Sequence, residues 1–270
     1  MLVSIIVPCY NMQQYLHETL ESVLSQKFPT WECIIVNDGS VDKSEDIALE
    51  WQKKDSRFKY FWKENGGLSS ARNFGIERSS GELIVPLDAD DILHTLFIEK
   101  CVSFLCQNLE YRIVYAETQL FGDREDCWRD NFDYNEFAKR NLIPCTACFY
   151  KKDWKMAGGY DEDFKNGFED WDFWISLVEK GIKVHKINEP LFYYRQRANS
   201  MAQNISEDIA NEIRRKIGLK HLKFFANHFG NPLSMFYEKQ QIQREIYLLQ
   251  KSRTFKVSKA LSRIFRMFYS

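Results

Sequence analysis

Over its first 91 residues the chain alternates short β-rich runs with helical patterns, and few folds accept that order. Residues 2–7 form an apolar run that breaks at Pro8. Residues 12–26 then carry Tyr15, Leu16, Leu20, Val23 and Leu24 at intervals of three and four, the period of an amphipathic helix. The pattern predicts a strand at 31–36, a helix at 42–54, a strand at 58–62, a helix at 68–78 opened by Gly66-Gly67, and a strand at 82–87. Repeated β-α units of this kind imply an α/β fold with a mostly parallel sheet flanked by helices. Ligands of open parallel sheets bind outside the carboxyl ends of the strands, so the loops beginning at Pro8, Asn37 and Asp88 should converge on one crevice.

Beyond that point the pattern is mixed. A helix is expected at 95–108, strand-like runs at 113–120 and 148–151, a helix at 171–179 preceded by Glu169-Asp170, and a strand at 190–194. From about residue 206 the chain reads as helical and charged, with little sign of a core of its own. The 37 basic and 38 acidic side chains leave a formal charge of -1, so nothing global points to nucleic acid. Seven scattered cysteines suit a reducing compartment better than a disulfide framework, and cytoplasm is the expected address. Cys145 and Cys148 form the only C-x-x-C, without a second pair at zinc-site spacing, and read as buried small apolar residues. The first residues, whose apolar run breaks at Pro8, are expected to form a buried first strand and not a signal peptide, and no stretch of the sequence reaches the length of a membrane span.

Three polar clusters fall at the predicted strand ends. LDADD (87–91) sets three carboxylates side by side, where mutual repulsion calls for a cation among them. Asp88 and Asp90 could share a hard divalent ion completed by substrate phosphates. Equally, Asp90 and Asp91 could cap the next helix. In VNDGSVDKS (36–44), Asn37 and Asp38 could bond a base or ribose while Ser40 or Asp42 caps a helix, although Asn-Asp-Gly-Ser is also ordinary turn composition. NGGLSSARNFG (65–75) places glycine amides and Arg72 at a helix start, a combination suited to an anion such as a diphosphate. Neither G-x-G-x-x-G after the first strand nor a P-loop is present, which argues against dehydrogenases and P-loop enzymes.

In this order and spacing, SIIVPCYN, VNDGS, NGGLSSARNFGI and LDADD closely resemble family 2 glycosyltransferases of the GT-A fold, over about residues 4–200. The resemblance implies a Rossmann-like, nucleotide-diphospho-sugar transferase fold and an inverting, single-sugar transferase. Its catalytic domain would span 1–204, with a nucleotide-sugar half at 1–91 and an acceptor-side half at 92–204, followed by a helical extension at 205–270. Pro8, Tyr10 and Asp38 would line the nucleoside pocket, with Arg72 near base or phosphate and Asp88 at the ribose, and Asn11, Gly67 and Ala89 would also belong to the nucleotide-sugar site. Asp90 would be the principal ligand of Mn2+ or Mg2+, with Asp91 close by. In GFEDWDFW (167–174), Asp170 would be the catalytic base, with Glu169 and Trp171 on the acceptor side. A helix start carrying acids that favour its dipole is the plainer account of the same string.

In YYRQRANS (193–200), Arg197 stands where the family often has a histidine. Arginine does not ligate a hard cation but pairs with phosphate, so Arg195 and Arg197 become diphosphate candidates and metal dependence is expected to weaken without disappearing. His17, His94, His185, His221 and His228 lie outside every motif and receive no catalytic role. Processive relatives carry Q-x-x-R-W, which is missing here, so one sugar per encounter is expected.

The final twenty residues contain Lys251, Arg253, Lys256, Lys259, Arg263 and Arg266 but no acid, with Val257, Leu261, Ile264, Phe265 and Phe268 at helical spacing. Such a basic amphipathic helix can lie on an anionic bilayer or pack on protein, including a second subunit as a homodimer. The expected partners are therefore a nucleotide-sugar donor, a UDP-sugar by family weighting, and a glycan or lipid-linked glycan acceptor at the inner membrane face. A nucleotide-sugar-binding subunit that has lost catalysis is the competing functional class.

Overall fold

Strands β1 (Val3–Cys9) and β2 (Trp31–Asp38) are buried along their whole length, as continuous apolar runs covered on both faces should be. With β3 (Phe58–Lys63) and β4 (Leu83–Pro86) they form a parallel array in the order β3-β2-β1-β4. Helices α1 (Leu16–Leu24), α2 (Ser44–Lys54) and α3 (Leu68–Arg78) connect them. The computed structural model describes residues 1–197, 205–230 and 232–251. The basic helix expected in the last twenty residues lies, after Lys251, outside the described residues.

The order of connection changes direction at β1, which pairs with β2 on one side and β4 on the other. This is the switch point at which an α/β sheet leaves a crevice. A short β5 (Ile92–Leu93) and helix α4 (Phe97–Gln107) follow. Next come β6 (Tyr111–Gly122), β7 (Asp126–Trp128), α5 (Tyr134–Phe137), β8 (Cys148–Tyr150), α6 (Lys151–Ala157), α7 (Glu169–Val178) and β9 (Lys183–Gln196). Strand β8 joins the halves by pairing antiparallel with both β4 and β6. The sheet continues as β8-β6-β9-β5, with β6 and β9 parallel and the other contacts antiparallel. The expected mostly parallel sheet is thus parallel in its first half and mixed beyond it.

Helix α3 lies close on the sheet because Gly75 leaves room: a Cβ there would meet Ile6 Cγ2 at 2.6 Å and Val36 Cγ2 at 3.0 Å. One turn earlier on the same helix, that closeness puts Arg72 over the strand ends.

The first compact unit runs from Met1 to His221 and therefore takes in α8 (Glu207–Lys220), beyond the expected boundary at 204. Charge explains its attachment. Lys220 pairs with Asp161 and with the buried Asp172, each at 2.8 Å, and His221 sits between Asp172 and Glu179 at 3.1 Å from each. In the second unit, the described residues form α9 (Leu222–Phe229) and α10 (Pro232–Lys251). No helix of the described residues is long and apolar enough to cross a membrane.

Candidate active site

A cavity of about 1040 Å³ opens at the carboxyl ends of β1, β2 and β4. Pro8, Tyr10, Asp38, Gly67, Arg72, Asp88, Ala89 and Asp90 line one wall, and Glu169 and Asp170 another. Arg195 and Arg197, at and just past the end of β9, also line it. Asn11, Asp91 and Trp171 do not reach its lining.

On the β1–β4 wall most polar groups are already engaged. The Asp38 carboxylate accepts from Lys63 Nζ at 2.7 Å, Gly66 N–H at 3.0 Å and Gly67 N–H at 2.8 Å. The amides expected to meet a diphosphate at the start of α3 are therefore directed at the protein's own carboxylate. Gly67 adopts φ 89°, which only glycine reaches without strain. Asn37 makes the plain turn, its Oδ1 accepting from Ser40 N–H at 2.8 Å. Asn11, at φ 55°, accepts from Val41 N–H at 2.9 Å and donates its own N–H to Ser40 Oγ at 3.0 Å, so its side chain ties two loops together.

Arg72 is wholly buried. Its Nη2 meets Asp88 Oδ1 at 2.7 Å and its Nη1 meets Glu169 Oε1 at 2.6 Å. Burial alone would lower its pKa, yet the two carboxylates hold it charged, well above the ordinary arginine value. The guanidinium expected near a phosphate is a buried brace between the two carboxylate walls, because the acids facing it require a counter-charge.

The acidic triplet divides by environment. Asp88 is partly open to the cavity and accepts from the Cys145 thiol at 3.5 Å. Asp90 is paired with Arg197 at 2.7 Å, and burial together with the nearby Asp88 raises its pKa. Asp91 is fully buried with a pKa raised well above the ordinary carboxylate value, first by burial and then by its two acidic neighbours. Its Oδ1 accepts from Arg195 N–H at 2.8 Å, while Oδ2 has no hydrogen-bond partner among the described residues. Asp91 therefore fastens the triplet to β9 instead of facing the cavity beside Asp90. Oxygens of Asp88 and Asp91 and Cys145 Sγ lie within 4.8 Å of one another. Carboxylate oxygens fit a hard divalent cation; the thiol, held protonated by burial, does not.

Facing them, Gly167 and Phe168 take φ 98° and 63° in succession, and α7 begins immediately after. A left-handed phenylalanine costs about 1–2 kcal/mol. It turns the start of α7 so that Glu169 and Asp170 meet the cavity. Asp170 accepts from Asn141 Nδ2 at 2.9 Å and from Trp171 N–H at 2.7 Å. Burial, reinforced by Glu169, pushes its pKa up to about 7, although Arg72 pulls the other way. Trp171 turns inward and donates its indole N–H to the Phe137 carbonyl at 3.1 Å, shaping the chain beside the site without lining it.

Sequence reasoning missed Asn141, Cys145, Tyr194 and Trp128, all in the cavity lining. Cys145 had been expected as a buried apolar residue; only Cys148 of that pair is fully buried. The alternation around Tyr194 pointed to a strand, while the loop residues carried no periodic signal.

A parallel half-sheet with acids at its switch point, facing an acidic helix start across one cavity, defines a glycosyltransferase of the GT-A class. The chain belongs to glycosyl transferase family 2, whose family model matches residues 4–161. It is 32% identical over 210 residues to TuaG of Bacillus subtilis, a glycosyltransferase named for teichuronic acid biosynthesis, covering 75% of this chain and 82% of that one. To the Bacillus subtilis glycosyltransferase EpsH it is 46% identical over 230 residues, covering 77% and 64%. In fold it matches S. aureus TarS 1–349 in complex with UDP-GlcNAc, with a TM-score of 0.72 and 19% identity, covering 84% of this chain and 71% of that one. The Pyrobaculum calidifontis mannosyltransferase PcManGT, in complex with GDP-Man and Mn2+, matches with a TM-score of 0.62 and 17% identity, covering 98% and 80%.

Proposed function

We propose that this glycosyltransferase moves one sugar, with inversion, from a UDP-sugar to a hydroxyl of a glycan or lipid-linked glycan in surface polysaccharide assembly. The observation that carries the reading is Asp170, a half-buried carboxylate in the same cavity as the acids at the ends of β1, β2 and β4, with its pKa pushed up to about 7. A base needs a pKa near working pH and hydrogen-bond reach of the proton it takes. Asn141 and the Trp171 amide hold the carboxylate in one orientation. The acceptor oxygen attacks the anomeric carbon on the face opposite the nucleotide while Asp170 takes its proton. Arg195 and Arg197 face the departing diphosphate, and Arg72 holds Asp88 and Glu169 in place through its two ion pairs.

Asp90, with Asp88, would hold Mn2+ or Mg2+, which when bound neutralises charge on the leaving diphosphate. The teichuronic acid name of TuaG and the UDP-GlcNAc complex of TarS favour a polysaccharide product and a UDP-sugar. Contact with an anionic membrane is favoured by the basic tail and by Ile242, Ile246 and Leu248, exposed on α10.

Calorimetric titration with UDP, GDP, CDP and TDP, with and without Mn2+, tests the donor site, with Asp90→Ala as control. Selective binding of UDP, strengthened by Mn2+ and weakened in the variant, is expected. Absence of binding by every nucleotide would overturn the reading.

A further inference from the structure

The two arginines near the end of β9 are held in unlike ways. Arg195 is fixed on several sides: Nε donates to the Asp90 carbonyl at 2.7 Å and Nη2 to Glu18 at 2.5 Å. Its guanidinium also lies 4.4 Å from the Phe121 ring centroid and 4.7 Å from that of Tyr15. Arg197 has one ionic partner among the described residues, Asp90 Oδ2 at 2.7 Å. Its other contacts are loose, 3.7 Å to Met12 Sδ and 5.6 Å to the Tyr15 ring. Both line the cavity, but among the described residues the side chain of Arg197 is held by one ion pair and a long contact to Met12 Sδ, and that of Arg195 by stronger bonds on several sides.

That ion pair engages an oxygen of Asp90, the acid that the proposed function makes the principal ligand of a divalent cation. A guanidinium on Asp90 Oδ2 competes with a metal ion for that oxygen, and it repels a cation bound at either oxygen through the short space between them. A diphosphate changes the balance, because it gives the guanidinium a bidentate partner of higher charge than Asp90.

We propose that Arg197 is a releasable counter-cation of Asp90: it occupies the carboxylate while the donor site is empty and transfers to the diphosphate when nucleotide and metal arrive. Metal and nucleotide then bind synergistically, each improving the affinity of the other by the same factor. This rests on the nucleotide-diphosphate reading above and adds to it a reason for free enzyme to hold metal weakly. A permanent structural pair would predict no such coupling.

Direct Mn2+ binding tests it, read as loss of the free-ion paramagnetic resonance signal on the full chain without nucleotide. Arg197→Gln should bind Mn2+ at least ~10-fold more tightly than wild type, a fraction of the Coulomb effect of a unit charge about 4 Å away. Arg197→Lys, which keeps the charge, should stay near wild type. The gain should vanish in the Asp90→Asn, Arg197→Gln double variant, and saturating UDP should tighten Mn2+ more in wild type than in Arg197→Gln. Equal Mn2+ affinity in wild type and a folded Arg197→Gln, checked by circular dichroism, would overturn the proposal. So would a gain that survives Asp90→Asn. UDP titrated both in excess chelator and with saturating Mn2+ reads the nucleotide pocket separately: its failure to bind under either condition would sink the donor reading, while the nucleotide-free metal titration would still decide the role of Arg197.

Discussion

The two walls of the cavity are built by different means. On the β1–β4 wall the polar side chains are locked by the protein itself: Asp38 takes three donors, Asn11 ties two loops, and Arg72 answers two acids. On the opposite wall Asp170 is held closely, but around it stand Trp128, half exposed on the short strand β7, and the exposed Lys165 and Arg140 on loops. Parallel strands joined by helices fix their carboxyl ends as a set, whereas the β6-to-α7 stretch reaches the cavity through long connections. Loops tolerate replacement better than packed strands, so the loop-built wall can change while the β1–β4 wall stays as it is.

The sharpest way to break this comparison is at Asp170, the closely held point of the loop-built wall. Asp170→Asn should lower turnover by about 10²–10⁴-fold, with UDP affinity nearly unchanged. In wild type the rate should climb with pH through about 7 and then level, as the carboxyl ionises. The stability effect has the opposite sense: a folded pKa raised from 3.8 to about 7 means the folded state holds this proton more tightly, so its contribution to stability falls as pH rises between those values. The substitution should remove that slope, measured as melting temperature against pH.

Next in size, Arg72→Met leaves Asp88 and Glu169 facing one another without a counter-charge, a loss of about 3–5 kcal/mol in urea unfolding, as for other broken buried pairs. A loss below about 1 kcal/mol would show that the two walls stand independently. Trp128→Ala should raise the acceptor KM about threefold to tenfold, the equivalent of one aromatic contact, and leave the donor KM alone. A shift in donor KM instead would place Trp128 on the wrong wall. The smallest effect is reserved for Asn11→Gly, which keeps the left-handed backbone but loses the side-chain hydrogen bond. It should cost about 1 kcal/mol of stability and leave UDP affinity unchanged.

The same division governs what could be read from the chain. Strands β1–β4 and helices α1–α3 were legible because each satisfies its own periodic pattern, with boundaries off by a few residues at α1, where residues 12–15 form a turn before the helix. The first half of β9 was missed because Lys186 occupies a buried position; its ammonium donates to the Arg129 carbonyl at 2.7 Å and pairs with Glu117, so the charge hides a core-facing site. Strand β7 and helix α5 are too short to show a period. The acids of the site were visible as a cluster, but their partners were not. Nothing local announces that Arg72 answers Glu169, or that Asp91 turns toward β9 while Asp90 stays in the cavity.

Arg72 and Glu169 are separated by 97 positions. A ribosome adding roughly 5–20 residues per second takes about 5–20 s to cover that distance. Throughout that interval the nascent β1–β4 layer carries a guanidinium that cannot be buried with both of its acids, so it should stay loosely set until α7 emerges. Limited proteolysis of ribosome-arrested chains would then yield no protected fragment ending before residue 169. The β1–β4 wall, made before the one that faces it, would be among the last parts to become rigid.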